Sequence, residues 1–358
     1  MRIGILCPYS LTVPGGVQMQ VLGLARALRN QGERVRVLAP CDGPPPDAGV
    51  TPLGNSLPTA ANGSIAPIAP DPPAQLRTIR AIRDEDFDVL HLHEPLTPGP
   101  NHTALLLRHA PMLGTFHAAG GSLAYDLLPG PVKFLADHLD DRVAVSADAE
   151  KMASEGLGGS YDRVFNGVEL DRFASAPTVP TDGPTIFFLG RHEPRKGLRV
   201  LLEAMALLPP ETRLWVGGDG DETKELQALH AGDARISWLG QLSEEDKIAR
   251  LRAADVFCAP SLRGESFGIV LLEAMASQTA VVASGISGYA NVARQGQDAK
   301  LVPPGDVEAL AGALREVLSS DSIRSALVQS GLQRAEEFSM VRLADLYRER
   351  YRRLIANA

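Results

Sequence analysis

Residues 2–39 read RIGILCPYSLTVPGGVQMQVLGLARALRNQGERVRVLA, with an apolar run at each end and a glycine-containing loop after the first run. Between the runs, apolar residues recur at the spacing of one helical face: Val17, Val21, Leu24 and Leu28. A strand, a helix and a second strand in this order predict a βαβ unit, because parallel strands need a long crossover that is usually helical.

Short apolar runs alternate with helical patterns over the rest of the chain. The further strand candidates are residues 87–92, 112–116, 142–145, 162–165, 185–189, 213–216, 234–239, 255–259 and 280–283. The chain has 358 residues, more than the roughly 250–300 over which a single hydrophobic core keeps growing. We therefore predict an α/β fold of two Rossmann-like domains that face each other across a cleft.

Composition divides the chain near its middle. Residues 171–184 are rich in proline and small side chains, as in a linker. We predict domains over residues 1–170 and 171–340, with an amphipathic helix over 341–358 that packs back on the first domain. Residues 41–73 contain many prolines and few large apolar side chains, which predicts a long surface loop.

The charge balance argues against a general nucleic-acid-binding protein, since the net charge is −8, from 35 basic and 43 acidic residues. The 3 cysteines are widely spaced, so they suggest neither a disulfide framework nor a metal cluster, and a reducing cytoplasm fits. The first apolar run is too short for a signal peptide, and apolar runs long enough to span a bilayer are missing from the sequence.

The turn Gly190-Arg191-His192-Glu193-Pro194-Arg195-Lys196-Gly197 follows a predicted strand of the second half. Open α/β sheets bind ligands at the carboxyl ends of their strands, so Arg191 and Lys196 are placed to hold a diphosphate together. Cations there would stabilise the charge of a departing nucleotide diphosphate. The alternative is an ordinary solvated basic turn.

Two carboxylates bracket the start of a predicted helix in Glu265-Ser266-Phe267-Gly268-Ile269-Val270-Leu271-Leu272-Glu273. Glu265 in the loop could reach sugar hydroxyls, Glu273 could accept from ribose hydroxyls, and the amides at the helix start could meet phosphate oxygens. The alternative makes Glu265 a helix-terminal charge and Glu273 a solvated one. Glu273 has apolar neighbours, however, and a carboxylate in such surroundings needs a partner.

These motifs together resemble the retaining family-4 glycosyltransferases of the GT-B fold, and among them the actinobacterial phosphatidylinositol α-mannosyltransferases. The resemblance extends over essentially the whole chain. It rests on Arg191 and Lys196, the Glu265/Glu273 spacing, the Gly15-Gly16 loop, Asn166-Gly167-Val168 and shared strings such as Thr115-Phe116-His117.

The resemblance implies a GDP-mannose donor and a transfer that retains the anomeric configuration. The catalytic residues that it implies are His117, Arg191, Lys196 and Glu265. The donor-binding residues that it implies are Gly15, Gly16, Arg191, Lys196, Leu242, Glu244, Lys247, Glu265, Ser266, Phe267, Gly268, Ile269, Val270 and Glu273. Glu244 would accept from guanine N–H groups, although an acidic first turn is also ordinary at a helix start. A cofactor is not required, and Mg²⁺ is possible without a protein site.

The acceptor side departs from the family pattern. The acceptor residues implied are Tyr9, Thr12, Asn62 and Ser122. Ser122 replaces a lysine that would receive the inositol phosphate, Thr12 replaces an aspartate, and Pro67 stands where an arginine is expected. Lys133 or Arg77 could supply the missing charge, or the acceptor could differ.

A membrane surface is the second expected partner. Arg77, Arg80 and Arg83 recur along one helical stripe beside Leu76, Ile79 and Ile82, as in helices that lie on anionic lipid. A surface helix with three arginines is the plainer interpretation. We predict a protein peripheral on the inner face of the plasma membrane, and the sequence indicates no protein partner.

Other interpretations stay open from the sequence. His91, His93 and Glu94 could suggest a metal, but further Cys/His clusters are missing from the neighbouring sequence. Rival functions are transfer from a GDP- or UDP-sugar to another lipid or a soluble acceptor, epimerase or phosphorylase chemistry on the same fold, and a silent sugar-nucleotide-binding module.

Overall fold

The computed structural model describes residues 1–61, 64–118 and 129–358. The chain divides into two compact units, a first unit of Met1–Gly167 with Met340–Ala358 and a second unit of Val168–Ser339. The first boundary precedes the predicted linker, whose start lies in a short helix, Leu170–Ala174, that buries Phe173. That burial places the start of the predicted linker inside the second unit.

The first unit is built on a parallel seven-stranded sheet in the order β3-β2-β1-β6-β7-β8-β9. Its strands are β1 (Arg2–Leu6), β2 (Arg34–Ala39), β3 (Val50–Pro52), β6 (Val89–His93), β7 (Met112–Phe116), β8 (Asp141–Ala144) and β9 (Asp162–Arg163). Its helices are α1 (Gly16–Asn30), α2 (Pro72–Glu85), α3 (Pro100–Leu107), α4 (Pro129–Ala136), α5 (Ala147–Leu157) and the C-terminal α14 (Met340–Asn357).

Helices cover the first sheet on both faces, which is why its strands are continuous apolar runs rather than alternating ones. Helices α1 and α14 supply Leu24, Leu28 and Leu343 to the core on one face, and Ile82 and Leu105 lie in the core on the other. The C-terminal helix therefore belongs to the first unit because its apolar side is part of that core.

The prediction of a structureless loop over residues 41–73 was wrong. The segment contains β3, which extends the first sheet beside β2, and an antiparallel hairpin of β4 (Leu57–Ala61) and β5 (Ser64–Ile68). Prolines misled the prediction because Pro52, Pro58 and Pro67 lie in edge strands, where a missing N–H leaves few ladder bonds unmade.

The second unit has a parallel six-stranded sheet in the order β12-β11-β10-β13-β14-β15. Its strands are β10 (Thr185–Leu189), β11 (Arg213–Gly217), β12 (Ile236–Gly240), β13 (Val256–Ala259), β14 (Ala280–Ser284) and β15 (Lys300–Val302). Its helices are α6 (Leu170–Ala174), α7 (Leu198–Ala204), α8 (Thr223–Leu229), α9 (Glu244–Ala253), α10 (Ile269–Ala276), α11 (Ser287–Ala290), α12 (Val307–Ser319) and α13 (Asp321–Glu337), with 3₁₀ turns at Pro194–Lys196 and Met205–Leu207.

Each sheet has one point where its strand order reverses. In the first unit the point lies between β1 and β6, and in the second between β10 and β13. Loops leave in opposite directions at such a point, and the crevice outside the carboxyl ends of the two strands is where open α/β sheets bind ligands. The candidate site residues are examined below against these two points.

Candidate active site

The switch point of the second unit brings Lys196 and Glu265 together. Lys196 ends the 3₁₀ turn after β10, and Glu265 lies in the loop after β13. The Lys196 Nζ lies 2.6 Å from Glu265 Oε1. The two loops approach closely at Gly197, where a Cβ would lie 2.0 Å from the carbonyl oxygen of Pro260, so a larger residue there would push them apart.

Glu265 has two further donors on the same oxygen. Arg195 Nη1 lies 3.3 Å and Ser261 Oγ 3.2 Å from Oε1, and the Ser261 hydroxyl also contacts the buried Tyr289 hydroxyl at 2.8 Å. The sequence prediction did not include Arg195, Ser261 or Tyr289. The basic turn was a signal for Arg195, whereas Ser261 and Tyr289 carried no local signal.

Arg191 differs from Lys196 in its surroundings. Its side chain is 51% exposed, and its guanidinium lies 3.6 Å from Glu193. A long, half-exposed ion pair contributes little to stability and can be exchanged for a ligand contact. Arg191 and Lys196 therefore lie on the same turn, one solvated and one paired with a carboxylate.

Helix α10 begins beside this ion pair. Its N-terminal Gly268 has a φ of 90°, a left-handed conformation that favours glycine, and among the described side chains none caps this end. The first amides of a helix lack intrahelical partners and attract anions. The predicted phosphate contacts, Ser266 to Val270, span this helix start.

Glu273 has the partner that its apolar neighbours led us to expect. Lys247 Nζ on α9 lies 2.9 Å from Glu273 Oε1 and 3.0 Å from Glu244 Oε1. Burial opposes the charge of Lys247, but the carboxylates of Glu273 and Glu244 outweigh it and raise the pKa of the ammonium group. Three predicted donor residues thus form one charged cluster, and the half-buried Leu242 precedes its helix.

In the first unit, Gly15 and Gly16 lie at the start of α1, after β1. Gln18 donates from Nε2 to the carbonyl oxygen of Val13 at 3.2 Å, which fixes the loop before the helix. Ser10 Oγ lies 2.9 Å from Thr12 Oγ1 and donates to Asp42 Oδ2 at 2.6 Å. Asp42, which the prediction missed, places a carboxylate beside Thr12.

His117 directly follows β7 and belongs to a buried histidine cluster with His91 and His93. His93 Nδ1 lies 2.8 Å from His117 Nε2, and the rings of His91 and His93 stack with centroids 4.3 Å apart. Burial lowers the pKa of His91 and of His117 to about 3 each, and that of His93 well below its usual value. All three rings are therefore neutral near neutral pH.

His91 links the cluster to the C-terminal helix. Its Nδ1 lies 2.6 Å from the Tyr351 hydroxyl, and its Nε2 lies 2.7 Å from Thr115 Oγ1, which also contacts the Tyr347 hydroxyl at 3.0 Å. Among the described residues, groups of three or more metal-ligating side chains that could hold a metal ion do not occur.

Asn62 and Ser122, two of the predicted acceptor residues, lie outside the described residues. Tyr9 is half-buried beside Thr97 and Glu94, and the loss of solvent raises the pKa of its hydroxyl. Lys133, a candidate for the missing acceptor charge, is exposed on α4. Arg77, the other candidate, donates to the Leu53 carbonyl oxygen at 3.2 Å.

The predicted membrane helix is only partly free. Arg77, Arg80 and Arg83 are exposed on α2, and Leu76 is 67% exposed. Ile82 is fully buried in the core of the first unit. The expectation of an apolar stripe with all three members at the surface was therefore wrong. In the described ranges, helices long and apolar enough to cross a bilayer are absent.

Comparisons with known proteins agree with these features. Residues 14–172 match the family described as Glycosyltransferase Family 4, and residues 171–334 the family described as Glycosyl transferases group 1. The chain is 41% identical over 351 residues to phosphatidyl-myo-inositol mannosyltransferase of Mycobacterium leprae, covering 94% of this chain and 93% of that protein. It is 31% identical to D-inositol 3-phosphate glycosyltransferase of Xylanimonas cellulosilytica, covering 90% and 88%.

Solved structures share the fold. Sucrose-phosphate synthase from Thermosynechococcus elongatus superposes with a TM-score of 0.77 at 21% identity and full coverage of both chains. HepE from Anabaena in complex with UDP gives 0.75 at 18% identity, covering 98% of this chain and 99% of that one. The predicted fold class is thereby confirmed. The chain is a glycosyltransferase of the GT-B fold and belongs to the family of the phosphatidyl-myo-inositol mannosyltransferases.

Proposed function

We propose that this enzyme transfers an α-mannosyl group from GDP-mannose to the inositol ring of phosphatidylinositol, with retention of configuration. The observation that carries the proposal is the Lys196–Glu265 ion pair at the switch point of the second sheet, beside the uncapped start of α10. Identity of 41% to a mannosyltransferase over 94% of the chain supports the sugar and the acceptor class.

The diphosphate would bind to Arg191, Lys196 and the first amides of α10. Lys196 is 18% exposed and already paired, so a diphosphate would share its ammonium group with Glu265 rather than desolvate a new cation. Positive charge fixed at this place stabilises the charge that develops on the leaving diphosphate, which is usually the largest catalytic contribution. Glu265, held by three donors, would then orient the mannose hydroxyls.

The Lys247 cluster would recognise the nucleoside. Glu273 would accept from the ribose hydroxyls. Glu244 uses Oε1 for Lys247, whereas its Oε2 is buried without a hydrogen-bond partner among the described residues. Guanine offers adjacent N1–H and N2–H donors to such an oxygen and uracil does not, so this orphaned acceptor favours a guanine nucleotide.

The reaction would be a front-side displacement. The acceptor hydroxyl oxygen forms the new bond to the anomeric carbon as the bond from that carbon to the diphosphate oxygen breaks. A diphosphate oxygen takes the hydroxyl proton, and GDP leaves. His117 would act at the mannose through its main chain. We propose no cofactor for this step; Mg²⁺ on the free diphosphate stays possible.

The acceptor would be presented at the inner, cytoplasmic face of an anionic membrane, with Arg80 and Arg83 of α2 near lipid phosphates. Tyr9 and Thr12 would contact the inositol ring. Because Ser122 and Pro67 lack the cations of the family pattern, Lys133 is our candidate for the inositol phosphate. A phosphate contact from a charged donor is worth about 1.5–3 kcal/mol.

Mass spectrometry of products tests donor, acceptor and linkage together. The purified enzyme is incubated with GDP-mannose or UDP-glucose and with phosphatidylinositol vesicles or soluble inositol 3-phosphate. We expect mannosylated phosphatidylinositol from GDP-mannose only. Product on soluble inositol 3-phosphate would instead support the second candidate, which the relative from Xylanimonas cellulosilytica favours. Product from UDP-glucose alone would contradict the assignment of Glu244.

A further inference from the structure

Glu94 stands where the first sheet reverses its strand order, directly after β6, in an unusual backbone conformation. Its φ is 48°, in the left-handed region that a residue with a Cβ rarely adopts. The fully buried Asn101 holds this conformation, since its Nδ2 donates to the carbonyl oxygens of His93 at 2.8 Å and Glu94 at 3.0 Å. Strain held by a buried partner is typical of functional positions.

The Glu94 carboxylate grips the turn after β7. Its Oε1 accepts from the main-chain N–H of His117 at 2.8 Å and of Ala118 at 2.6 Å. The preceding residue, His93, contacts the His117 ring. Two consecutive residues thus fix the main chain and the side chain of His117 from the neighbouring strand.

The second of these hydrogen bonds also sets the direction of the His117 carbonyl group. A trans peptide is planar, with its N–H and its C=O pointing in opposite directions. Because the Ala118 N–H points at Glu94, the carbonyl oxygen of His117 in the same peptide points away from Glu94. An ionised carboxylate on the N–H polarises the amide and increases the negative charge on that oxygen.

We propose that Glu94 is a positioning residue for sugar transfer: its carboxylate aims and polarises the His117 carbonyl oxygen toward the positive charge that develops at the anomeric carbon. The inference rests on the proposed function, in which His117 acts at the donor sugar. Glu94 itself touches neither donor nor acceptor, and its effect passes through the His117–Ala118 peptide.

Burial supports a functional reason for this carboxylate. Glu94 is 8% exposed, and loss of solvent raises its pKa to about 7 despite the two amide donors. The titratable groups around it are Tyr9, His93 and His117. Burial lowers the pKa of both histidines and raises that of Tyr9, so Glu94 is the group of this set that changes charge near neutral pH.

The test compares wild type with Glu94→Gln, which keeps an acceptor oxygen but not the charge, and with Glu94→Asp, which keeps the charge but shortens the reach. Misplacement by about 1 Å can reduce a rate about a hundredfold. We expect kcat to fall about 10- to 100-fold in both variants, with KM for GDP-mannose little changed. Wild-type kcat falls as the pH drops below about 7, and Glu94→Gln lacks this decline.

A structural role alone predicts the opposite stability result. A buried carboxylate with a raised pKa destabilises the folded state when ionised, so Glu94→Gln should unfold no more easily than wild type above about pH 8. Asp88→Asn is the matched control, since Asp88 also accepts a main-chain N–H, from Arg2 at 2.6 Å, at the other end of β6. We expect that control to retain kcat.

Hydrogen exchange at the amides of His117 and Ala118 checks the contact without any assay of transfer. Faster exchange in Glu94→Gln than in wild type is expected. Unchanged kcat and pH profile, or a kcat loss that accompanies lower stability at about pH 8, would overturn the inference. If wild type forms no product from GDP-mannose while both amides depend on Glu94, the proposed donor is wrong and the positioning contact stands.

Discussion

The two units organise the polar groups at their switch points in opposite ways. The second unit uses ion pairs, with Lys196 on Glu265 and Lys247 between Glu244 and Glu273. The first unit uses neutral rings, His91, His93 and His117, and a single buried carboxylate. Fixed charges suit a part that binds an anionic leaving group, whereas neutral, hydrogen-bonded groups hold shape where a charge would be costly.

The largest effect that this comparison predicts is on Lys196. In Lys196→Ala the leaving diphosphate loses its buried cation and Glu265 loses its shortest partner. We expect kcat/KM for GDP-mannose to fall about 100- to 1,000-fold, as when one donor to a developing negative charge is removed. Steady-state kinetics with phosphatidylinositol vesicles measure it.

Arg199→Ala is the matched control for Lys196→Ala. Arg199 lies in the first turn of α7, and its guanidinium pairs with Glu222 and Glu225 instead of Glu265. Its kcat/KM should stay within about threefold of wild type, since exposed ion pairs contribute little. Equal losses in both variants would contradict the assignment of Lys196.

The next largest effect concerns the stability of the second unit. Lys247→Met leaves Glu244 and Glu273 close together without their cation, in a site where the lysine side chain is 9% exposed. Removing one partner of a buried pair costs about 3–5 kcal/mol, and we expect a loss near the lower value because Glu244 is partly solvated. Urea unfolding followed by tryptophan fluorescence reports it, since both tryptophans, Trp215 and Trp238, lie in this unit.

Acid should weaken the first unit before the second. The three buried histidines have a lowered pKa, so their unfolded forms bind protons as the pH falls below about 6.5 while the folded forms do not. The stability that they contribute is complete above that pH and is lost toward about 3. Glu94 acts in the opposite direction, since its raised pKa favours the folded state as the pH falls through about 7.

Three histidines outweigh one carboxylate, so the net effect of acid on the first unit is destabilising. Far-UV circular dichroism in urea at about pH 5 should show a transition that precedes the loss of native tryptophan fluorescence. At about pH 7.5 the two signals should change closer together. Coincident transitions at both pH values would contradict the comparison between the units.

A smaller effect is expected where the C-terminal helix meets the cluster. Tyr351→Phe removes the hydroxyl that contacts His91 Nδ1 and leaves this ring nitrogen buried without its partner. The cost should be about 1–3 kcal/mol of unfolding free energy. Tyr161→Phe is the control, because that hydroxyl makes only a 3.5 Å bond to the Ala153 carbonyl oxygen. An equal cost in both variants would contradict the importance of the His91 contact.

The smallest effect concerns the surface of the first unit. Arg83→Gln on α2 should weaken binding to anionic vesicles by about 1 kcal/mol, less at high salt. Arg353→Gln, exposed on the C-terminal helix, is the control. Co-sedimentation with phosphatidylserine-containing vesicles measures both. Equal weakening in both variants would argue against a specific role of α2.

Local pattern carried most of the fold. Met112–Phe116 and Thr185–Leu189 are strands with the predicted bounds, because continuous apolar runs between turns are a direct consequence of burial in parallel sheets. The hairpin inside residues 57–68 could not be predicted this way, since its strands carry prolines and lie outside the two main sheets.

The sequence by itself determined the α/β class, the family resemblance and the set of charged residues at the strand ends, because these depend on periodicity and short motifs. Only the tertiary structure decided which groups meet. Lys247 and Glu273 are 26 residues apart, and His91 and Tyr351 are 260 apart. Distances of a few ångströms between such residues depend on how helices and strands pack, and local sequence does not encode them.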